Sequence, residues 1–283
     1  MSFLNISAYK FVEIASLDGL RAELRERCVA AGLKGTVLLS HEGINLFLAG
    51  VETRLREVLA WITADPRFAG LPVKESWSAE QPFNRMLVKI KREIITMKQP
   101  MIRPLAGRAP HVDAPTLKRW LDQGHDDEGR EVALLDTRNS FEVAIGSFEN
   151  AIAPPLASFG EFPERVGQLD PALKQKTVVT FCTGGIRCEK AALYMGEQGY
   201  EHVLQLDGGI LKYFEEVGGA HYHGDCFVFD RRVALTPQLS AAGYAECFNC
   251  RAVVSPAQQR STDYVVGSSC PACAPVRSSS TAT

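Results

Sequence analysis

Two groupings of cysteine in this sequence have the residue types and spacing of chemistry. The first is Thr177-Val-Val-Thr-Phe-Cys182-Thr183-Gly184-Gly185-Ile186-Arg187-Cys188. A β-branched and aromatic run ends at a cysteine, a glycine pair follows, and an apolar-periodic segment begins near Arg187, which reads as strand, tight loop and helix N-terminus. The glycines admit backbone angles that a side chain forbids, so successive N–H groups of Thr183, Gly184, Gly185 and Ile186 are free to curl toward the Cys182 sulfur as an anion-binding nest. Those donors, the helix dipole and the Arg187 cation all favour thiolate over thiol, and thiolate is the nucleophile. Cys182 is therefore the expected reactive residue. Cys188, at the helix start, leaves two readings open. It could resolve a persulfide or sulfenate on Cys182 by forming a disulfide, or it could only donate a weak hydrogen bond.

The second grouping is Cys247-Phe-Asn-Cys250 and Cys270-Pro-Ala-Cys273, two C-x-x-C knuckles separated by nineteen residues. That is zinc-ribbon spacing, and four thiolates would fill a tetrahedral zinc and leave it structural rather than catalytic. A unit this small has little core of its own and is expected to fold around the metal, with Tyr264-Val-Val266 as a strand between the knuckles.

These residues need scaffolds. At 283 residues with 46% hydrophobic content and a net charge of −2, the chain suits two or three domains and has no whole-molecule attraction for nucleic acid. No apolar run has transmembrane length, the start lacks a basic-then-apolar leader, and the cysteine spacing is unlike a disulfide framework; the expectation is a cytoplasmic protein that does not engage membranes. Residues 1–95 alternate as β-α-β-β-α-β, the order of a ferredoxin-like split βαβ α+β domain, with Cys28 in its core. Residues 96–112, with prolines at 100, 104 and 110, are expected to form an extended linker. Residues 113–220 alternate short apolar strands with helices, as a parallel α/β sheet does, and place the Cys182 loop at a strand's carboxyl end. Residues 221–274 form a C-terminal extension carrying the cysteine module. Residues 275–283, rich in Ser and Thr, are expected to be disordered.

Two further stretches could touch a ligand. His41-Glu-Gly-Ile-Asn45 lies at a hairpin turn, where His41 and Asn45 could meet a base or phosphate or could simply be solvated. Between Arg85 and Arg108 seven cations face the single acid Glu93. Arg85, Lys89, Lys91 and Arg92 suit a phosphate backbone, and alternation puts Lys89 and Lys91 on one strand face; a solvated face explains the same residues. Asp136 and Arg138 are expected to be structural, tying the loop after their strand. Cys226 reads as buried, and His221 and His223 have no assigned role.

The loop Cys182-Thr-Gly-Gly-Ile-Arg187, preceded by Asp136-Thr-Arg138 and followed by Asp207-Gly-Gly-Ile210, resembles rhodanese domains, in which the first cysteine carries sulfur as a persulfide cradled by backbone amides. The whole arrangement resembles the bacterial tRNA uridine hydroxylases, which contain such a domain. The match takes in Lys34-Gly-Thr-Val-Leu-Leu-Ser-His-Glu-Gly-Ile-Asn45, the cysteine loop, Gly224-Asp-Cys-Phe-Val-Phe-Asp230 and the terminal cysteine pairs. The resemblance implies oxygen-dependent conversion of wobble uridine to 5-hydroxyuridine in the tRNA anticodon region, with molecular oxygen as co-substrate and the rhodanese cysteine required. It moves His41, Asn45 and the basic strip toward RNA contact. Residue chemistry alone leaves open a persulfide-carrying sulfurtransferase and a non-catalytic RNA-binding adaptor. The sequence carries no flavin, haem or nicotinamide signature, so the residues do not say how oxygen is activated.

Overall fold

The computed structural model describes residues 2–274, so the expected tail at 275–283 lies outside the described residues. Strands β1 (Phe3–Phe11), β2 (Lys34–Ser40), β3 (Gly43–Gly50) and β4 (Val73–Ser78) alternate with α1 (Leu17–Ala30) and α2 (Glu52–Ala64) in the expected β-α-β-β-α-β order. A fifth strand, β5 (Met86–Ile90), pairs parallel to β2 and extends the sheet to β4-β1-β3-β2-β5. Strand alternation separates its two faces. Leu4, Ile6 and Ala8 turn inward against Leu17, Leu24 and Cys28 of α1 and Leu55, Val58 and Ile62 of α2. The register brings Asn5, Ser7 and Tyr9 of β1 level with Asn45 and Phe47 of β3, and with Lys74 and Ser76 of β4, on the opposite face. That face carries no helix of its own domain, and its mixed polar and aromatic surface meets the second domain.

The second domain contains β6 (His111–Val112), α3 (Ala114–Gln123), β7 (Val132–Asp136), α4 (Ser140–Val143), β8 (Gly146–Phe148), α5 (Phe162–Val166), β9 (Thr177–Phe181), α6 (Ile186–Glu197), β10 (Val203–Leu206) and α7 (Gly209–Val217). Its parallel sheet runs β6-β10-β9-β7, and β9 is buried along its whole length. The central position of β9 explains its unbroken apolar and β-branched run. Asp136 and Arg138 form a fully buried ion pair at 2.6 Å, and Arg138 also donates to the Gly146 carbonyl at 2.7 Å, so both are structural as expected. The extension adds β11 (Tyr222–Gly224) against β8, then the hairpins β12 (Cys226–Phe227) with β13 (Ala234–Leu235) and β14 (Ala245–Glu246) with β15 (Val253–Val254). Cys226 is buried, while His221 and His223 face Glu149 at the surface. Among the described residues no helix is long and apolar enough to cross a membrane.

Two expectations are corrected. The stretch expected as an extended linker is partly a wall of the second domain: Met97, Ile102 and Ala109 are buried in its core, and β6 pairs with β10. Apolar residues interleaved with the basic ones bury there, which a solvated linker would not require. Tyr264–Val266 is not a strand. Val265 makes a single bridge to Ser269, and Val265 and Val266 are exposed. The module's hairpin forms instead on either side of the first knuckle, whose turn bonds, Arg251 N–H to Cys247 C=O and Cys247 N–H to Ala252 C=O, bring β14 and β15 together locally.

The domains are held together through α6. Lys190, 2% exposed, donates to Glu93 at 2.7 Å, to Glu42 and to the Ile95 carbonyl at 3.0 Å. Glu189, next to it, accepts from Arg108, from Gln205 at 3.2 Å and from the Tyr9 hydroxyl at 3.3 Å. Glu93, the lone acid of the basic strip, is thus an anchor for Lys190. Replacing Lys190 with methionine leaves two carboxylates facing each other without a cation, and urea unfolding should show a loss of about 3 kcal/mol. The same variant should become sensitive to proteolysis between residues 91 and 110.

Candidate active site

Cys182 stands at the carboxyl end of β9, where the chain turns into α6. Gly185, at φ +94°, adopts the left-handed conformation that opens the helix, and its N–H lies 3.1 Å from the Cys182 sulfur. A Cβ at that position would sit 3.0 Å from the Tyr9 hydroxyl. The loop's carbonyls are drawn the other way: Ile210 N–H donates to Cys182 C=O at 3.0 Å and Leu211 N–H to Thr183 C=O at 3.1 Å. This is the work of Asp207-Gly-Gly-Ile210. A Cβ at Gly209 would fall 2.4 Å from the Cys182 carbonyl oxygen, so glycine lets α7 begin directly against the loop. With carbonyls held outward, amides converge on sulfur.

Burial opposes ionisation of Cys182, but a hydrogen bond from Cys188, the Arg187 cation and the N–H groups of Arg187 and Gly184 outweigh it and bring the thiol down to about 6. Cys188, fully buried beside the Thr137 hydroxyl, is pushed well above the usual thiol range by burial and by the neighbouring Cys182. One sulfur is the thiolate and the other is its proton donor. Arg187 acts on Cys182 through its charge, and its guanidinium is held by a two-pronged ion pair with buried Glu142, at 2.8 and 2.7 Å. Glu142 belongs to a capping box with Asn139 at the start of α4, the acidic partner whose role sequence reasoning left unstated.

Cys182 is only 1% exposed, yet it lines a cavity of about 610 Å³, within the roughly 300–1,000 Å³ of small-ligand sites. One wall is the helix-free face of the first sheet, with Tyr9, Asn45, Phe47 and Lys74. The other comprises Cys182, Thr183, Gly184, Ile186 and Arg187, closed off by Phe229 and Arg232 of the extension. Of the expected ligand-contacting residues, Asn45 and Lys91 line this cavity. Asn45 is buried and donates to the Ile94 carbonyl at 3.3 Å, and Lys91 is exposed at the rim. His41, Arg85, Lys89 and Arg92 are exposed and lie outside the cavity lining; the His41 ring bonds the Ile14 carbonyl at 2.8 Å. Tyr9, Lys74 and Phe229 escaped sequence reasoning. The polar alternation of Asn5, Ser7 and Tyr9 on one strand face was the available signal.

The two knuckles meet. The four sulfurs of Cys247, Cys250, Cys270 and Cys273 all lie within 4.8 Å of one another. The Cys247–Cys273, Cys250–Cys270 and Cys270–Cys273 separations are 3.8, 3.6 and 3.8 Å. A tetrahedron of thiolates about 2.3 Å from zinc has edges of about 3.8 Å, so the cluster could hold a zinc-sized ion.

Comparison with known proteins bears on this arrangement. Residues 3–94 match the UPF0176 acylphosphatase-like domain and residues 113–216 the rhodanese-like domain. The tRNA uridine(34) hydroxylase of Cupriavidus taiwanensis is 64% identical over 96% of this chain and 97% of its own length. The chain belongs to the tRNA uridine(34) hydroxylase family. A second member, from Paraburkholderia xenovorans, is 59% identical over 97% of both chains. Among solved structures, a human single-domain sulfurtransferase matches 38% of this chain and 97% of its own at 25% identity, with a TM-score of 0.32. The family assignment spans both walls of the cavity, not the rhodanese-like half alone.

The depressed Cys182 thiol sets a pH dependence. Thiolate is present above the folded value, so alkylation of Cys182 by iodoacetamide should rise with pH to half its plateau near pH 6, against about 8.5 for an unperturbed thiol. Replacing Cys188 with alanine removes a donor to the thiolate and should move that midpoint upward, as read by peptide mass spectrometry.

Proposed function

We propose that this chain is an enzyme that hydroxylates uridine 34, the wobble nucleotide of tRNA, to 5-hydroxyuridine, with Cys182 as nucleophile and molecular oxygen as co-substrate. The observation that carries the reading is an ionised sulfur in the wall of a nucleotide-sized cavity built jointly by both domains, in a chain whose relatives of matching length bear that activity in their names.

The uracil enters between the sheet face and the cysteine loop. Sulfur of Cys182 adds to C6, and the C5=C6 electron pair moves through C4 to the 4-carbonyl oxygen, giving an enolate with an electron-rich C5. Oxygen adds at C5. A two-electron donor of the dithiol class, giving two protons with a third drawn from solvent, then leaves one oxygen atom as the hydroxyl and releases the other as water. Loss of the C5 proton and expulsion of the Cys182 thiolate restore the ring double bond. Gly184, Gly185 and Arg187 N–H groups hold the thiolate before attack and receive it again on departure. Cys188 keeps its proton and shares it with that thiolate. Glu142 keeps Arg187 in place, so the cation favours the ionised sulfur without moving during the reaction.

Outside the cavity, the exposed Lys89, Arg85 and Arg92, with Lys91 at the rim, offer a strip for the phosphates of the anticodon region, and His41 lies at the turn beside it. The cysteine module would hold zinc through Cys247, Cys250, Cys270 and Cys273; with four thiolates the ion completes the fold and offers no open position. A cytoplasmic setting belongs to the same reading, because tRNA is found there and the thiolates of both sites require a reducing compartment.

Nucleoside mass spectrometry of tRNA from cells carrying only the Cys182→Ser chain should show no 5-hydroxyuridine above the deletion background; normal levels would end this account, and loss of a thiolated base instead would indicate sulfur transfer. Purified protein should contain one zinc per chain by elemental analysis. Cys270→Ser should lose the metal and unfold the module selectively, leaving the alkylation profile of Cys182 in place.

A further inference from the structure

The addition step needs a cation that Arg187 does not supply. When sulfur adds to C6, negative charge collects on the 4-carbonyl oxygen, on the far side of C5 from the attacking atom. Arg187 stands on the same loop as the sulfur, and both its prongs are committed to Glu142. The neighbouring cavity cation Arg232 is likewise paired, to Asp230 at 2.5 Å. Lys91 and Lys98 are exposed at the rim, where water screens them.

Lys74 is different. It lies on β4 of the first domain, opposite Ser7 in the register, on the helix-free face that forms the wall across from the cysteine loop. It is half-buried and, among the described residues, has no carboxylate within ion-pairing distance; its ammonium stands 5.5 Å from the centre of the Tyr9 ring. Tyr9 in turn approaches Gly185, whose N–H bonds the Cys182 sulfur. An ammonium with no ion-pair partner thus lies across the cavity from the thiolate, with Asp207 and Glu215 acting on it only from longer range. Burying a cation without a partner is costly, and a fold retains such an arrangement when the partner arrives with the ligand.

We propose that Lys74 is a catalytic residue of this reaction: its ammonium donates a hydrogen bond to the uracil 4-carbonyl oxygen and stabilises the charge that collects there as the Cys182 sulfur adds to C6. The proposal rests on the hydroxylase reading above. The S–C6 bond forms from the sulfur lone pair, the displaced π pair ends on O4, and no proton need leave the lysine; the pair returns to C5 when oxygen adds. Burial pulls Lys74 below the usual ammonium value, the Cys182 thiolate, Asp207 and Glu215 oppose that pull, and a more acidic ammonium is a stronger hydrogen-bond donor.

The test uses the full chain, unmodified tRNA, air and dithiothreitol, with enzyme in excess so that a single turnover is timed by mass spectrometry of 5-hydroxyuridine. RNA affinity is measured separately by fluorescence anisotropy at two salt concentrations. Lys74→Met and Lys74→Gln should slow the turnover about 10²- to 10³-fold, while affinity changes by less than about threefold and its salt dependence is unaltered. Lys74→Arg, which keeps the charge, should regain at least about tenfold of that loss. Turnover within about threefold of the parent in both neutral variants would overturn the proposal. So would a loss confined to affinity with a shallower salt dependence, which would make Lys74 a phosphate contact. Iodoacetamide labelling of Cys182 reports folding of the site in each variant, and Lys74→Gln carries the test should Lys74→Met fail to label. Cys182→Ser, run in parallel, separates the two levels: if it is active the hydroxylase chemistry itself is wrong, whereas an inactive Cys182→Ser beside active Lys74 variants removes only the lysine.

Discussion

The structure depends on keeping one sulfur ionised where water scarcely reaches it. Burial alone would hold the Cys182 thiol protonated, as it does at Cys28 and Cys226, which burial pushes up to about 11 and about 12. The difference is directional. At Cys182 the chain turns from strand to helix through a left-handed glycine, the loop carbonyls are pinned outward by α7, and N–H groups, a neighbouring thiol and a cation all face the sulfur. Each donor is modest, and together they outweigh desolvation because none must reorganise when charge appears.

That local device is tied to the whole chain by the helix it opens. The first turns of α6 carry Arg187, Glu189 and Lys190, and each is buried in an ion pair with a different element: Glu142 of α4, Arg108 of the connecting stretch, and Glu42 with Glu93 of the first domain. Fixing α6 therefore fixes the thiolate and the opposite cavity wall at once. The helix-free sheet face is covered by the Cys182 loop instead of by helices, and the cavity is the space that remains between them. A two-domain site of this kind excludes water from the sulfur while leaving room for a planar base.

The cysteine module follows a separate logic. Its hairpin is too short to bury a core, and its sulfurs lie at the spacing of a tetrahedral ion. Its four donors would complete a coordination shell, so an ion held there would contribute shape. The depressed thiol and the cysteine cluster are accordingly segregated, one in the rhodanese-like loop and the other in the extension.

Much of this was legible from residue order. The β-α-β-β-α-β alternation, the strand and glycine pair around Cys182, the structural Asp136–Arg138 pair and the paired knuckles are local patterns, set by side-chain periodicity and by the backbone freedom of glycine, and these act over a few residues. What required the tertiary structure is pairing across distance. Sequence chemistry read Arg187 as a cation beside the thiolate and Glu42 as part of a turn open to solvation, and it could not know that Glu142, 45 residues away, pairs with the first or that Lys190 reaches the second. Nor does local pattern reveal that Lys74 and Tyr9 face Cys182 across a cavity. A charge's partner is decided by which surfaces the fold brings together, and Coulomb attraction through a buried interface has no signature along the chain.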